Sequence, residues 1–271
     1  MQLAGRGATF VRELPGPPGA PCVVLLHGWT VNADLNWFAA YRKLGEHFRV
    51  VAIDHRGHGK GVRSRRRFRL ADCADDVAAV CEALGIDSCI PVGYSMGGPV
   101  AMLTWHRHRD LVDGLVLCAT SPYFRGTGPE RQLFTLLPVV AGAGRLTPPA
   151  LRHAIAGRMF AGRTEATPFG NWARDQIAQA DPIAVVEAGA SLGRFDARPW
   201  LADIDVSTAV VRTLRDQAVP PRRQTELARG IPGAVLVDVD ADHAACVTAA
   251  NRFVPALITA CTAASRTRAG S

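Results

Sequence analysis

The sequence predicts an α/β fold in which helices flank a mostly parallel central sheet. Short apolar runs alternate with helix-like stretches in the first half of the chain. Each run ends at Gly, Asp, His or Ser, as strands do where they meet a loop. The runs are apolar almost throughout, which indicates strands buried on both faces, as in a parallel sheet covered by helices. The strands predicted here are Cys22–Leu26, Arg49–Ile53, 89–92 and 111–118.

A helix is predicted between the second and third of these strands. Apolar side chains recur there at helical spacing, and Asp72, Asp75 and Asp76 lie near the N-terminal end, where the helix dipole favours acidic groups. Gly85 follows the last apolar residue and is expected to end the helix. The apolar residues at this spacing are Leu70, Cys73, Ala74, Val77, Cys81 and Leu84.

The alternation stops after Ser121 and resumes near residue 200. Pro, Gly and Ala are frequent between these points, and no segment there is convincing as a strand. We therefore predict one core domain, residues 1–121 and 200–271, that carries a mainly helical lid insertion, residues 122–199. Helices of the lid insertion are expected at 133–140, 151–160 and 172–180. The later elements are expected as strands at 209–212 and Val235–Val239 and helices at 222–229 and 244–260, followed by a loose tail from residue 265.

Composition favours a soluble, cytoplasmic protein. Apolar residues make up 48% of the 271 residues, which is enough for a sizeable core. The residues before Cys22 contain charges and no continuous apolar stretch, so they do not resemble a secretory signal. The nearest approach to a membrane span, 133–144, is short and contains Pro138. We expect no integral membrane segment, and either a monomer or a homodimer.

The basic charge does not by itself indicate a nucleic-acid partner. The formal charge of +7 comes almost wholly from arginine, because Lys43 and Lys60 are the only lysines, and no recognised nucleic-acid motif accompanies it. The densest basic run, at 63–69, is interpreted as a solvated loop; contact with an anion or an acidic lipid is the alternative. Its arginines are Arg63, Arg65, Arg66, Arg67 and Arg69.

No metal or cofactor is expected from the sequence. The seven cysteines include no CxxC pair, and Cys22, Cys89 and Cys118 lie in apolar strands as small core residues. His55 and His58 have no carboxylate or cysteine at metal-ligand spacing.

The strongest local motif is GYSMGG at 93–98. It follows the strand that ends at Val92 and opens a helix-like run, so Ser95 occupies a strand-to-helix turn with flanking glycines that permit close backbone packing. Pro99 fits the first turn of that helix. This context is typical of a nucleophile elbow; a glycine-rich turn of a phosphate-binding protein is the alternative, but no P-loop or Rossmann fingerprint is present.

Four further motifs, in chain order, extend the pattern. HGW at 27–29 ends the first strand, DHRGHG at 54–59 has the form D-x-R-G-x-G, DQAVP occupies 216–220, and ADH occupies 241–243. Together with the elbow they resemble the α/β-hydrolase family, whose serine, acid and histidine follow one another in this order. The resemblance implies a Ser95 nucleophile, a His243 base and an orienting Asp216.

The resemblance also implies an oxyanion hole formed by the backbone amides of Trp29 and Met96. His27 is expected to hold its loop in shape. The chemistry accounts for each residue type: a serine hydroxyl needs a base that titrates near neutral pH, and the imidazole needs a carboxylate to fix its tautomer and balance its charge.

Asp216 is the least constrained of the three assignments. Some relatives place the acid after the strand that follows the elbow helix, but here that strand ends CATS at 118–121, without a carboxylate. Asp240 and Asp242 are the alternative acids, but they lie too close to His243 along the chain to be the expected partner. The sequence departs from the family pattern at Asp242 and Thr213, where glycine is common, and at Lys60-Gly61, where serine is usual.

The function predicted is hydrolysis of a small-molecule carboxylic ester of small to medium apolar character, including one that bears an acyl chain. Serine at the elbow argues against chemistry that uses a carboxylate nucleophile. Thioester, amide or carbon–carbon bond hydrolysis, perhydrolysis and acyl transfer stay open, as does a binding protein that kept the fold.

The apolar residues of the lid insertion either line an acyl pocket or attach the lid helices to the core. These residues are Leu133, Phe134, Leu136, Leu137, Met159, Phe160 and Trp172.

Overall fold

A seven-stranded, mostly parallel sheet forms the centre of the protein. The computed structural model describes residues 1–148 and 167–265. The sheet order is β3-β5-β4-β6-β7-β8-β9, in which β3 is antiparallel to β5 and the other neighbouring pairs are parallel. A separate antiparallel pair, β1-β2, precedes it. The strands are β1 (Gln2–Leu3), β2 (Gly7–Ala8), β3 (Val11–Leu14), β4 (Cys22–Leu26), β5 (Arg49–Ile53), β6 (Ile90–Tyr94), β7 (Gly114–Cys118), β8 (Ser207–Thr213) and β9 (Val235–Val239).

Helices cover both faces of the sheet, so the central strands are buried on both sides. Along β4 the side chains alternate: Val24 and Leu26 face one apolar core, while Val23 and Leu25 face the other. Helices α3, α4 and α8 close the first core; α1, α2 and α10 close the second. The helices are α1 (Ala33–Trp37), α2 (Tyr41–Gly45), α3 (Leu70–Ala83), α4 (Gly97–Arg107), α5 (Gly128–Leu146), α6 (Pro168–Ala178), α7 (Pro182–Leu192), α8 (Pro221–Gly230), α9 (Ala245–Thr248) and α10 (Ala250–Ala264).

The predicted fold class is confirmed, and three predicted strands have the expected bounds: Cys22–Leu26, Arg49–Ile53 and Val235–Val239. The bounds of the other predicted elements differ from the expected ones. The strands expected at 89–92 and 209–212 are Ile90–Tyr94 and Ser207–Thr213, and the helices expected at 133–140, 172–180 and 222–229 are Gly128–Leu146, Pro168–Ala178 and Pro221–Gly230. The strand expected at 111–118 begins at Gly114, because a 3-10 turn, Arg109–Leu111, precedes it and is closed by the Leu111 amide donating to the His108 carbonyl.

The terminal helix expected at 244–260 is two helices. The backbone of Ala249 leaves the helical region, with φ −133° and ψ 37°, which separates α9 from α10. The second helix then directs Phe253 against the rings of Trp37 and Tyr94. The helix expected at 151–160 lies outside the described residues, as do Met159 and Phe160, and so does the tail after residue 265.

Helix α7, which lies within residues 122–199, is bound to the rest of the protein through polar contacts. The indole Nε1 of Trp29 donates to the Val185 carbonyl at 2.7 Å, and the Asp181 amide donates to the Gly57 carbonyl at 2.8 Å. Glu187, buried on the same helix, accepts the Phe68 amide at 2.8 Å. Between residues 1 and 148 and residues 167 and 265, no helix is both long and apolar enough to cross a membrane.

The contact between α7 and the loop that contains Gly57 predicts a position-specific cost for a methyl group. Gly57 and Gly85 both have positive φ, +74° and +61°, but a Cβ added at Gly57 would overlap the Cβ of Ala184, whereas one at Gly85 meets nothing within 4 Å. We expect Gly85→Ala to lower the free energy of unfolding by about 1–2 kcal/mol through backbone strain alone. Gly57→Ala should lower it by a further ~1–3 kcal/mol through overpacking.

Urea unfolding of both variants and the wild type measures this difference. Gly85→Ala is the matched control for backbone strain. Equal losses in the two variants would contradict the close contact between Gly57 and Ala184.

Candidate active site

The edge of the sheet where the parallel strands end carries the residues that the sequence singled out. His27 follows β4, Ser95 follows β6, Asp216 lies beyond β8 and His243 lies beyond β9. In an open parallel sheet, loops at the carboxyl ends of the strands form the binding crevice. Side chains far apart in the chain are thereby brought to one place.

Ser95 lies in a strained turn between β6 and α4. Its φ is +52°, in the left-handed region that non-glycine residues seldom adopt. Two hydrogen bonds stabilise this strained backbone. The Ser95 amide donates to the Cys118 carbonyl at 2.9 Å, and the Thr120 hydroxyl donates to the Ser95 carbonyl at 2.7 Å. Gly97 has to be glycine, because a Cβ there would overlap the Leu26 carbonyl oxygen.

His243 lies between Ser95 and Asp216. Its Nε2 is 3.0 Å from the Ser95 Oγ, and its Nδ1 is 2.7 Å from Asp216 Oδ2. The Tyr94 hydroxyl donates to the His243 carbonyl at 2.8 Å and thereby fixes the loop that bears the imidazole. The structure thus brings together the three side chains that the family resemblance had grouped.

The Asp216 carboxylate is wholly buried and fully hydrogen-bonded. Its Oδ1 accepts the amides of Ala218 and Val219 at 2.9 and 2.8 Å. Its Oδ2 accepts from the Thr213 hydroxyl at 2.8 Å in addition to His243. The side chain has no solvent exposure, against 31% for the His243 side chain.

The alternative acids have other partners. Asp242 Oδ1 accepts the Ala244 amide at 2.9 Å, and Asp240 forms exposed ion pairs with Arg215 and Arg252. Neither carboxylate contacts the His243 ring within the described part of the chain, so the geometry favours Asp216 as the partner of the imidazole.

Two backbone amides in the turns around Ser95 have no acceptor among the described residues. Gly28 lies beside the serine, because a Cβ added to it would be 3.5 Å from the Ser95 Cβ. The Gly28 amide is already used, donating to Asn36 Oδ1 at 2.9 Å. The amides of Trp29 and Met96 donate to no acceptor in residues 1–148 and 167–265. Met96 immediately precedes α4, where the helix dipole favours negative charge.

Three buried histidines support the loop that contains Gly28. The Nε2 of His27 accepts the His55 amide at 2.9 Å, and its Nδ1 lies 2.8 Å from the Gly28 carbonyl, which assigns the proton to Nδ1. The ring centroids of His27 and His58 are 5.5 Å apart. Burial lowers the pKa of His27 to about 4 and that of His58 to about 3, and it lowers the pKa of His55 well below its usual value. All three are therefore neutral near pH 7. In the described segments, no three His, Cys, Asp or Glu side chains are arranged to hold a metal ion.

The described apolar residues of the segment predicted to be a lid differ in their surroundings. Phe134 is buried, and Trp172 packs against the rings of Phe38 and Phe169, so these two residues attach helices. Leu133 and Leu136 are exposed. The five arginines at 63–69 are all exposed, as expected for a solvated loop.

Comparisons with known proteins identify the family. A family model described as alpha/beta hydrolase fold matches residues 21–140. The chain is 30% identical over 247 residues to a pimeloyl-acyl-carrier-protein methyl ester esterase of Chromobacterium violaceum, covering 88% of this chain and 92% of that protein. It is 29% identical over 222 residues to the AB hydrolase superfamily protein YisY of Bacillus subtilis, covering 79% and 81%.

A solved structure shares the fold. The thermophilic esterase from Thermogutta terrifontis superposes with a TM-score of 0.75 at 26% identity, covering 95% of this chain and 96% of that one. The chain belongs to the α/β-hydrolase family, and it is an α/β-fold hydrolase enzyme.

The neutral histidines predict a loss of stability in mild acid. Unfolded histidine has a pKa of about 6.5, so below that pH the unfolded chain binds protons that the folded chain excludes. Stability is therefore complete above about pH 6.5 and falls as the pH drops toward about 4, the pKa of folded His27. For each proton that the unfolded chain binds and the folded chain does not, we expect the free energy of unfolding to fall by about 1.4 kcal/mol per pH unit.

Urea unfolding between about pH 7.5 and about pH 5 measures this slope. His58→Leu removes one of the three groups. It should lower the slope by roughly the contribution of one proton, whatever it does to stability at neutral pH. A wild-type stability that did not change over this range would exclude the burial of neutral imidazoles.

Proposed function

We propose that the protein is a serine hydrolase that cleaves a carboxylic ester of small to medium apolar character through an acyl-enzyme. Ser95 is the nucleophile, His243 the base and Asp216 the acid that orients the base. The observation that carries the proposal is the continuous contact from Asp216 Oδ2 through the His243 ring to the Ser95 Oγ, at 2.7 and 3.0 Å.

In the acylation step, His243 Nε2 removes the hydroxyl proton as the Ser95 Oγ attacks the ester carbonyl. The Nδ1–H of His243 donates to Asp216, which fixes the tautomer and balances the charge that develops on the ring. The carbonyl oxygen becomes an oxyanion, for which the free amides of Trp29 and Met96 are the proposed donors. Nε2 then protonates the leaving alcohol, and the acyl group remains on Ser95.

In the deacylation step, a water molecule takes the place of the alcohol. Nε2 removes its proton, the hydroxide attacks the acyl carbon, and the tetrahedral intermediate uses the same amide donors. Collapse returns the proton to Ser95 and releases the carboxylic acid. His243 is partly exposed at 31%, which is consistent with access for that water.

Residues 122–199 are proposed to act as a lid over this site. Trp29 supports the assignment, because its amide is one of the proposed oxyanion donors while its indole donates to Val185 of α7. The ring of Trp29 and the side chain of Leu137 both approach Gly189 of α7. These apolar groups beside the oxyanion loop favour an apolar acyl or alcohol group on the substrate.

A fluorophosphonate probe and a series of p-nitrophenyl esters test the proposal. The probe should label the wild type at Ser95, and esters from acetyl to palmitoyl should be hydrolysed with a preference for the shorter chains. Ser95→Ala should abolish labelling and lower kcat by at least ~10³-fold, because the acyl-enzyme cannot form.

Ser88→Ala is the matched control, since Ser88 bonds to Asp113 at the opposite end of β6 and should leave both readouts unchanged. A folded wild type that is neither labelled nor active on any ester of the series would contradict the proposal. Labelling that persists in Ser95→Ala would show that the nucleophile is misassigned.

A further inference from the structure

Two buried side chains next to Asp216 have no role in the mechanism above. Thr213 ends β8 and Gln224 lies on α8, and both have no solvent exposure. The Thr213 Oγ1 is 2.8 Å from Asp216 Oδ2 and 2.9 Å from Gln224 Nε2. Of the two, only Thr213 stands out in the sequence, because it replaces a glycine that is common in the family.

The hydrogen bonds fix the orientation of the Gln224 amide. Its Oε1 accepts the Thr213 amide at 3.0 Å, and its Nε2 donates to the Val219 carbonyl at 2.7 Å. If the amide were flipped, its NH2 group would face the Thr213 amide, which is also a donor, and its oxygen would face the Val219 carbonyl, which is also an acceptor. Nε2 therefore carries its second proton toward Thr213 Oγ1, with Asp216 Oδ2 further away at 3.3 Å.

This orientation determines where the Thr213 hydroxyl donates. Its oxygen accepts from Gln224, so its single proton is directed to the nearest remaining acceptor, Asp216 Oδ2. The same carboxylate oxygen accepts the Nδ1–H of His243. A directed chain of donors thus runs from Gln224 through Thr213 to the carboxylate that contacts the imidazole, in a site without solvent.

We propose that Thr213 and Gln224 are positioning residues that hold Asp216 Oδ2 on the His243 Nδ1. The inference rests on the proposed hydrolase function and adds two residues to its machinery. The amides of Ala218 and Val219 restrain only Oδ1, so the hydroxyl of Thr213 is the short contact that restrains Oδ2 besides His243 itself. Its removal leaves the long Gln224 contact, at 3.3 Å, as the remaining restraint on Oδ2 apart from His243 itself.

Thr213→Val tests the role of the hydroxyl with little change in shape. We expect kcat to fall by about 10-fold with KM within about twofold, because a hydrogen bond to a charged group is lost without a change in the substrate site. The acidic limb of the kcat/KM profile should move to higher pH, since a carboxylate that has lost one donor interacts more strongly with the imidazolium.

Two variants control this result. Thr213→Ser keeps the hydroxyl and should restore kcat and the pH profile to near the wild-type values. Thr208→Val removes another buried hydroxyl of β8, one that donates to the Val206 carbonyl and does not contact Asp216, and it should change neither readout. If valine prevents folding, Thr213→Ala removes the same hydroxyl without adding a methyl group.

A spectroscopic readout separates this inference from the proposed function. The proton shared by His243 Nδ1 and Asp216 should give a far-downfield NMR resonance that is absent in His243→Gln. Thr213→Val and Gln224→Met should shift it, and Thr208→Val should not. This comparison decides the positioning role even if the wild type proves inactive, in which case only the proposed function fails.

The positioning role would be overturned by a Thr213→Val protein whose kcat, pH profile and Nδ1 resonance match those of Thr208→Val. It would also be overturned if Thr213→Ser lost as much activity as Thr213→Val, because the hydroxyl would then not be the feature that matters.

Discussion

The hydrogen bond between His243 Nδ1 and Asp216 Oδ2 is the interaction on which the site depends. A carboxylate with no solvent exposure is costly to bury unless each lone pair finds a donor, and the surroundings of Asp216 supply backbone, hydroxyl, amide and imidazole donors. Because these donors come from the β8 end, the following turn and α8, they also restrict the carboxylate to one orientation. The imidazole is then aligned on the serine by its own loop and by the Tyr94 hydroxyl.

The other constraint is backbone strain at the elbow. Positive φ at Ser95 is stable only because Gly97 allows the turn to pack on the Leu26 carbonyl and because two hydrogen bonds clamp the serine backbone. In the same turn, the Met96 amide donates to no acceptor among the described residues, and the loop that contains Gly28 lies beside Ser95. The indole of Trp29 joins this loop to α7 through its hydrogen bond to the Val185 carbonyl, so one side chain links the proposed oxyanion donor to the proposed lid.

Much of the fold could be predicted from the sequence, since buried parallel strands such as Cys22–Leu26 are apolar without interruption. β3 was missed, because Arg12 and Glu13 pair with Asp34 and Arg49 on an edge strand and hide its apolar pattern. α7 was missed because it is buried on several sides and shows no polar face; even Glu187 is buried against Arg145. The motifs grouped Ser95, Asp216 and His243, but Gln224 carries no local signal, because its role depends on packing between α8 and β8.

The crystal structure of the protein after reaction with a small alkyl fluorophosphonate tests the account most directly. Phosphorus should be bonded to the Ser95 Oγ, and a phosphonyl oxygen should lie about 2.7–3.1 Å from the amide nitrogens of both Trp29 and Met96. His243 should keep its contact with Asp216 in that adduct. A phosphonyl oxygen directed away from both amides, or an adduct on a different side chain, would contradict it.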